Sequence, residues 1–326
     1  MSADSSPKAI IAALLANLGI AATKLMAWII TGSSSMLAES IHSLADSGNQ
    51  VLLLVGGKRA KRPATVNHPF GFGRERYVYA FIVSIVLFSV GGLFALYEAY
   101  HKYHELQLHG AGDVELLEST WKGAVAVAVL VIAIVLESLS FRTAIVESNK
   151  VRGQASWKQF IRNAKAPELP VVLLEDFAAL LGLGFALFGV SMTLFTSNGY
   201  WDVVGTVAIG LLLVAVAVIL AIETKSLLLG ESAHEDKRQL IEANLLAPEG
   251  GVSEVLNLRT LHVGPDEILV AAKIAMAPTQ NAQDISDTIN AAEVRIRTAV
   301  PEAKYIFIEP DMKRPAADFG AAAPSH

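Results

Sequence analysis

The sequence contains no cysteine. Disulfides, thiolate nucleophiles, zinc fingers and soft Cu(I) sites are thereby excluded. Any metal must be held by His, Asp, Glu, Asn or water, a donor set that suits borderline or hard divalent cations. Charge is scarce as well. Asp, Glu, Lys and Arg make up 17% of the 326 residues, and the net charge is −5. No basic stripe with interleaved aromatics occurs, so nucleic-acid binding finds no support. The first apolar run has neither a basic region before it nor a small-residue cleavage site after it, and it reads as a membrane span, not a signal peptide.

Apolar residues are abundant: the chain is 53% hydrophobic, with a mean hydropathy of +0.45. Ordinary soluble domains hold roughly 45–50% apolar residues even with Gly counted. A spanning helix needs about 20 mainly apolar residues. Six stretches qualify, at 8–31, 34–56, 77–100, 121–141, 169–195 and 202–229. The expected organisation is a transmembrane domain of six helices over 1–230, an aqueous α+β domain over 231–313, and a disordered tail over 314–326.

Loop charge sets the orientation. The 2–3 loop carries Lys58, Arg59, Lys61, Arg62, Arg74 and Arg76; the 4–5 loop carries Arg142, Lys150, Arg152, Lys158, Arg162 and Lys165. The 1–2 and 5–6 loops are uncharged. The 3–4 loop sets Lys102 and Lys122 against Glu105, Asp113, Glu115 and Glu118. By the positive-inside rule the 2–3 and 4–5 loops, both termini and the aqueous domain face the cytoplasm.

Beyond Gly230-Glu231-Ser232 the pattern becomes that of a soluble domain. Residues 235–246 read as a helix and Pro248-Glu249-Gly250-Gly251 as a turn. Ser253–Val263 and Glu267–Met276 alternate as strands around Gly264-Pro265-Asp266. Ala282–Val300 reads as an amphipathic helix and Lys304–Ile308 as a third strand. The αββαβ order predicts helices on a small antiparallel or mixed sheet, of ferredoxin-like type.

Polar residues inside the spans carry the chemistry, because a charge near the bilayer centre costs about 2.5–3.5 kcal/mol on insertion scales. Span two contains Glu39, His42, Asp46, Asn49 and Gln50, spaced by three or four and so on one face. His42 and Asp46, at i and i+4, can bind one ion from the same side. Span five contributes Glu175 and Asp176. Adjacent residues point about 100° apart, so one of them is expected to aim at a shared site. The alternative for His42 and Asp46 is a buried pair that only fixes packing. Asn17, Lys24 and Glu137 read equally well as structural or snorkelling groups and as functional ones, and Asp202 as a residue stabilising the start of its own helix. His101, His104 and His109 read as solvated histidines of the outer loop. Gly71 and Gly73 follow no strand and lack a Lys-Ser/Thr pair, so a tight turn explains them better than a phosphate loop.

Three stretches resemble the cation diffusion facilitator family: Ser34-Ser35-Met36-Leu37-Ala38-Glu39-Ser40-Ile41-His42-Ser43-Leu44-Ala45-Asp46, His68-Pro69-Phe70-Gly71-Phe72-Gly73-Arg74 and Leu173-Leu174-Glu175-Asp176. Within the family the likeness is to the branch of zinc transporter nine and its bacterial relatives. The resemblance implies a homodimer with the soluble domain at the interface, one transport site per protomer between spans two and five, and exchange of metal for protons by alternating access. It implies His42, Asp46 and Asp176 as metal ligands, with Glu175 and Asn49 as further donors and His68 as part of a secondary site. The sequence departs from the family at Val172, where many members carry a His or Asp ligand, and at Phe72, where a second His is common. Leu256, Lys273, Gln283 and Ile308 stand where some bacterial members place metal-binding histidines, so no zinc cluster is expected in the soluble domain.

The expected function is export of a divalent cation, Zn²⁺, from the cytoplasm by proton antiport. Metal binding needs neutral imidazole and ionised carboxylates, so it releases protons, and His has an ordinary pKa near 6.5. No prosthetic group is implied; the bound species are the cargo, Zn²⁺ and H⁺. The alternatives are the same mechanism with Mn²⁺, Fe²⁺ or Co²⁺, and a non-transporting membrane scaffold. An intramembrane metalloenzyme would need a general base beside an open metal, and no His-Glu-x-x-His occurs. The expected location is a multi-pass protein of the lipid bilayer, with the bacterial inner membrane favoured over an organelle membrane.

Overall fold

A computed structural model describes residues 7–111, 120–247, 251–277 and 279–312, with side chains from Asn17 onward. The expected tail at 314–326, the acidic loop residues Asp113, Glu115 and Glu118, and Pro248–Gly250 of the expected turn lie outside the described residues. The chain divides into two compact units. One comprises the chain up to Arg62 together with Glu75–Lys225; the other joins Pro63–Arg74 to the chain from Ser226 onward.

The first unit is helical. Its long helices are α1 (Pro7–Thr31), α2 (Ser34–Ala60), a third span built from α3 (Glu75–Val86), a π-helical segment (Leu87–Leu93) and α4 (Phe94–His109), then α5 (Thr120–Arg152), α7 (Glu168–Thr196) and α8 (Tyr200–Leu229). A short helix, α6 (Trp157–Asn163), lies between α5 and α7. It opens on a capping box, in which Ser156 and Gln159 satisfy each other's backbone amides. At 1.5 Å per residue, the 27 residues of α2 extend about 40 Å, enough to cross a hydrocarbon core of about 30 Å.

Four of the described helices are both long and apolar enough to cross a membrane: Glu75–His109, Trp121–Arg152, Glu168–Thr196 and Tyr200–Leu229. Over the residues whose side chains are described, α1 is apolar across Asn17–Thr31. The second expected span differs, because α2 is not apolar enough to qualify by composition. Its polar residues are turned inward: Glu39, His42, Ser43, Ser47 and Asn49 are buried, while Leu44, Val51 and Leu54 are exposed. This inside-out pattern suits a helix with an apolar solvent outside and a polar interior.

Helix α2 packs on α1, α3 and α7, and α5 packs on α1 and α7. Small residues let α7 and α8 approach closely. A Cβ on Gly189 would lie 2.9 Å from the Trp201 carbonyl oxygen and 3.3 Å from the Gly205 Cα, the close backbone approach typical of membrane helix pairs. The outer histidines are not in a loop. Ala95, Ala99, Lys102 and Leu106 form a buried stripe at helical spacing that carries α4 to His109, so His101, His104 and His109 are helical. The rings of His101 and His104 stack on Tyr97 and Tyr100 one turn before them.

The second unit holds α9 (Glu235–Leu245), β1 (Val252–Gly264), β2 (Glu267–Met276), α10 (Ala282–Ala299) and β3 (Ala303–Asp311). The sheet order is β1-β2-β3. The hairpin is antiparallel, and β3 runs parallel to β2 because α10 carries the chain across between them. Ile241, Ile268, Val270, Ile274, Ala292 and Ile296 form its core. Pro63–Arg74 of the 2–3 loop, assigned with the spans on sequence grounds, belongs to this unit. Phe70 meets Tyr305 edge-on at 5.2 Å. A Cβ on Gly73 would stand 2.9 Å from both the Gly264 Cα and the Val263 carbonyl oxygen. Only glycine permits that backbone contact.

Candidate functional site

The start of α2 is fixed from another helix. Ser33 caps it by accepting the Met36 amide, and the buried Asp202 carboxylate accepts the Ser34 amide at 2.8 Å and the Ser33 hydroxyl at 2.9 Å. Asp202 therefore satisfies orphan donors of α2. The expectation that it serves the start of its own helix is corrected: it lies in the first turn of α8, but its side chain is directed at α2.

Two to four turns further along α2, the polar face meets α1, α5 and α7 in a cleft lined by Asn17, Ser43, Asp46, Gln50, Glu137, Val172, Glu175 and Asp176. His42 stands beside it. His42 Nδ1 lies 3.4 Å from Asp46 Oδ1, and neither ring nitrogen has a hydrogen-bond partner although the residue is only 1% exposed. Such orphaned buried nitrogens cost about 1–3 kcal/mol apiece when nothing pairs with them, so a packing pair is a poor account of this histidine.

Both acids of α7 line the cleft, contrary to the expectation that only one would. Helix α7 packs on α2 and α5 together, and each neighbour takes one acid. Asn49 Nδ2 of α2 donates to Glu175 Oε1 at 2.7 Å, and Ser140 Oγ of α5 donates to Asp176 Oδ2 at 2.9 Å. The Asn49 amide oxygen, fully buried, has no partner. Val172, the residue without a donor, forms part of the wall.

The donors surround a cleft, not a point: among the described residues, no three His, Asp or Glu side chains converge closely enough to enclose a metal ion. His68 belongs to the other compact unit. There its ring lies against Phe72 with centroids 4.5 Å apart, and its backbone bridges Thr65.

Two groups for which the sequence left structural, snorkelling and functional readings open are paired inside the helices. Lys24 is fully buried, with its ammonium donating to Glu39 Oε2 at 3.1 Å and to Ser43 Oγ at 2.7 Å. Glu137 lines the cleft, 3.9 Å from Lys24. A signal for both was present: Lys24 follows Asn17 by two helical turns, and Ser140 follows Glu137 by one, so each pair shares a face.

Matches to known proteins follow this architecture. The model of the cation efflux transmembrane domain matches residues 10–229. A proton-coupled zinc antiporter of Xenopus laevis, mitochondrial SLC30A9, is 33% identical over 77% of this chain and 43% of its own length. Metal tolerance protein C4 of Arabidopsis thaliana is 26% identical over 82% of this chain and 57% of its own length. An uncharacterized transporter of Methanocaldococcus jannaschii is 23% identical over 93% of this chain and 97% of its own. The chain thus spans less than half of the SLC30A9 relative. With six long helices, polar groups turned into their interior and a family model covering most of the chain, this multi-pass membrane protein belongs to the cation efflux (cation diffusion facilitator) family, a family of transporters and not of enzymes.

Proposed function

We propose that the chain exports a divalent cation, Zn²⁺, from the cytoplasm in exchange for protons, and that the ion is taken into the cleft between α2 and α7. The observation that carries this is the gathering of Asp46, Glu175 and Asp176 in one intramembrane cleft beside the unpartnered nitrogens of His42. Ionisable groups at membrane depth mark ion pathways far more often than packing. Asp46 and Asp176 supply carboxylate oxygens, His42 an imidazole nitrogen, and Glu175 or Asn49 a further oxygen. Small rotations of these side chains close the set around the ion. Because carboxylates and imidazole bind metal only when deprotonated, loading the cleft releases protons and protonation empties it. The relatives whose names include zinc and proton coupling support this choice of cargo and counter-ion.

A second cargo is favoured by one specific observation. Four carboxylates, of Asp46, Glu137, Glu175 and Asp176, line the cleft with a single imidazole beside it. That oxygen-rich set suits Mn²⁺ or Fe²⁺ better than a site with several nitrogens would. Competition at equal free concentrations separates these readings. The chain acts as a homodimer in this proposal, and the exposed Phe307 on edge strand β3 is available to a second copy.

Zinc-driven pH change in proteoliposomes tests the proposal, comparing the wild type with Asp46→Ala. A zinc-dependent pH change that is lost in the variant is the expected result. Zinc flux without a pH response would replace antiport by uniport. Absence of flux for every divalent metal would leave a scaffold.

A further inference from the structure

Two sets of buried polar side chains meet at the cleft. The first, described above, is Asp46, Glu175 and Asp176 with His42 and Asn49. The second runs through Lys24, Glu39, Ser43 and Glu137. The Lys24 ammonium is fully buried and anchored by Glu39 and Ser43, both on α2. Glu137 of α5 stands 3.9 Å from it, an ion pair without a hydrogen bond. Glu137 also lines the cleft with Asp46, Glu175 and Asp176. It therefore faces two cation positions, the ammonium on one side and the cleft on the other.

The acids beside it are placed differently. Glu175 is held by the Asn49 amide and Asp176 by the Ser140 hydroxyl. Among the described residues, the ion-pair partner of Glu137 is Lys24 alone. A divalent ion attracts a carboxylate twice as strongly as an ammonium does at equal distance. If Glu137 turns to such an ion, Lys24 keeps Glu39 and Ser43 and is not left as an unpaired buried charge, the situation that makes breaking most buried pairs expensive. Val172, another lining residue, offers no donor atom, which leaves room in the donor set for an oxygen from α5.

We infer that Glu137 is a further cation-binding residue, held by Lys24 while the cleft is empty and handed to the divalent ion when it enters. The inference rests on the reading of this cleft as the transport site. Lys24 is then a resident positive charge that keeps the acidic cleft partly neutral between transport events, and Glu137 is the carboxylate shared between the resident and the transported cation.

Calorimetric titration of the full-length chain in detergent with Zn²⁺ tests this, using the wild type, Glu137→Gln, Lys24→Met, the double variant and Asp46→Ala. Glu137→Gln should weaken zinc binding about tenfold or more. Lys24→Met should tighten it in the wild-type background and have little effect when Glu137 is already Gln, a non-additive pair. Unchanged affinity in Glu137→Gln would overturn the inference and leave Glu137 as a counter-charge for Lys24. Equal tightening by Lys24→Met in both backgrounds would overturn it too, since the ammonium would then repel the ion without using Glu137. Wild-type zinc affinity in Asp46→Ala would instead sink the cleft as the transport site, a separate failure. Lys24→Met leaves Glu39 buried without its cation and risks misfolding. Glu137→Gln, which retains the Lys24–Glu39–Ser43 contacts, carries the test without it.

Discussion

Ser140 makes a single contact of consequence at the cleft, the hydrogen bond from its hydroxyl to Asp176 Oδ2. That bond crosses from α5 to α7 and holds one oxygen of the carboxylate. Partners of this kind around metal ligands change metal affinity by about 10–100-fold when removed. Ser140→Ala should therefore weaken zinc binding by that order, while Ala at a helical position offsets much of the lost bond and holds the stability change near about 1 kcal/mol. Zinc titration alongside a thermal melt checks both halves. A loss of stability without a loss of affinity would mean that Ser140 only joins the two helices. Residues such as His42, Asp46, Glu175 and Asp176 stand out in the sequence because they interrupt apolar runs, and the His42–Asp46 pair lies within one helix. For Lys24 and Glu137 spacing indicated only the polar face they share with Asn17 and Ser140, not the partners they meet. Those partners lie on other helices, and whether such a group snorkels or is paired depends on packing that spacing does not encode.

At the scale of elements, the long apolar helices and the two hairpin strands follow directly from periodicity. The parallel placement of β3 and the π-helical segment do not, because each depends on contacts between segments far apart in the chain, whereas the polar face of α2 was legible in its three/four spacing. The short helix α6 was within reach, since Ser156 and Gln159 have capping-box spacing, but only seven residues follow the cap, too few for apolar periodicity to register. The glycines of α7 give a sharp comparison. Gly184 has open space where a Cβ would stand, whereas Gly189 has the Trp201 carbonyl oxygen at 2.9 Å. Gly184→Ala should be neutral or stabilising by up to about 1 kcal/mol through helix propensity. Gly189→Ala should cost about 1–3 kcal/mol by wedging α7 from α8, read as a lower melting temperature in the same detergent. If both substitutions behaved alike, the α7–α8 contact would not be tight at that point. Gly73→Ala meets backbone on two sides and should loosen Pro63–Arg74 from the β1–β2 turn. The expected readout is faster tryptic cleavage after Arg74, with the rest of the chain protected as before.

For the whole molecule, orientation is the property most fully argued from sequence and least dependent on any one contact. The 4–5 connection, between α5 and α7, holds Arg152, Lys158, Arg162 and Lys165, whereas the connection between α7 and α8 at Ser197–Gly199 is uncharged. Helix α7 has 29 residues, about 43 Å at 1.5 Å per residue, so its ends lie on opposite sides of a core of about 30 Å. By the positive-inside rule basic loops stay in the cytoplasm, so the expected placement is Gln154 inside and Thr196 outside. The absence of cysteine makes this directly measurable, because a single introduced thiol is the only one to react. In intact cells a membrane-impermeant maleimide should label Thr196→Cys and spare Gln154→Cys. In inside-out vesicles the pattern should reverse, with Lys61→Cys, beyond the far end of α2, behaving like Gln154→Cys. Labelling of Gln154→Cys in intact cells would invert the chain and overturn the proposed export from the cytoplasm. Labelling of Lys61→Cys and Gln154→Cys from opposite sides would mean that the chain does not cross the membrane an even number of times between them, and the third span built from α3, the π-helical segment and α4 would be the segment to reassign.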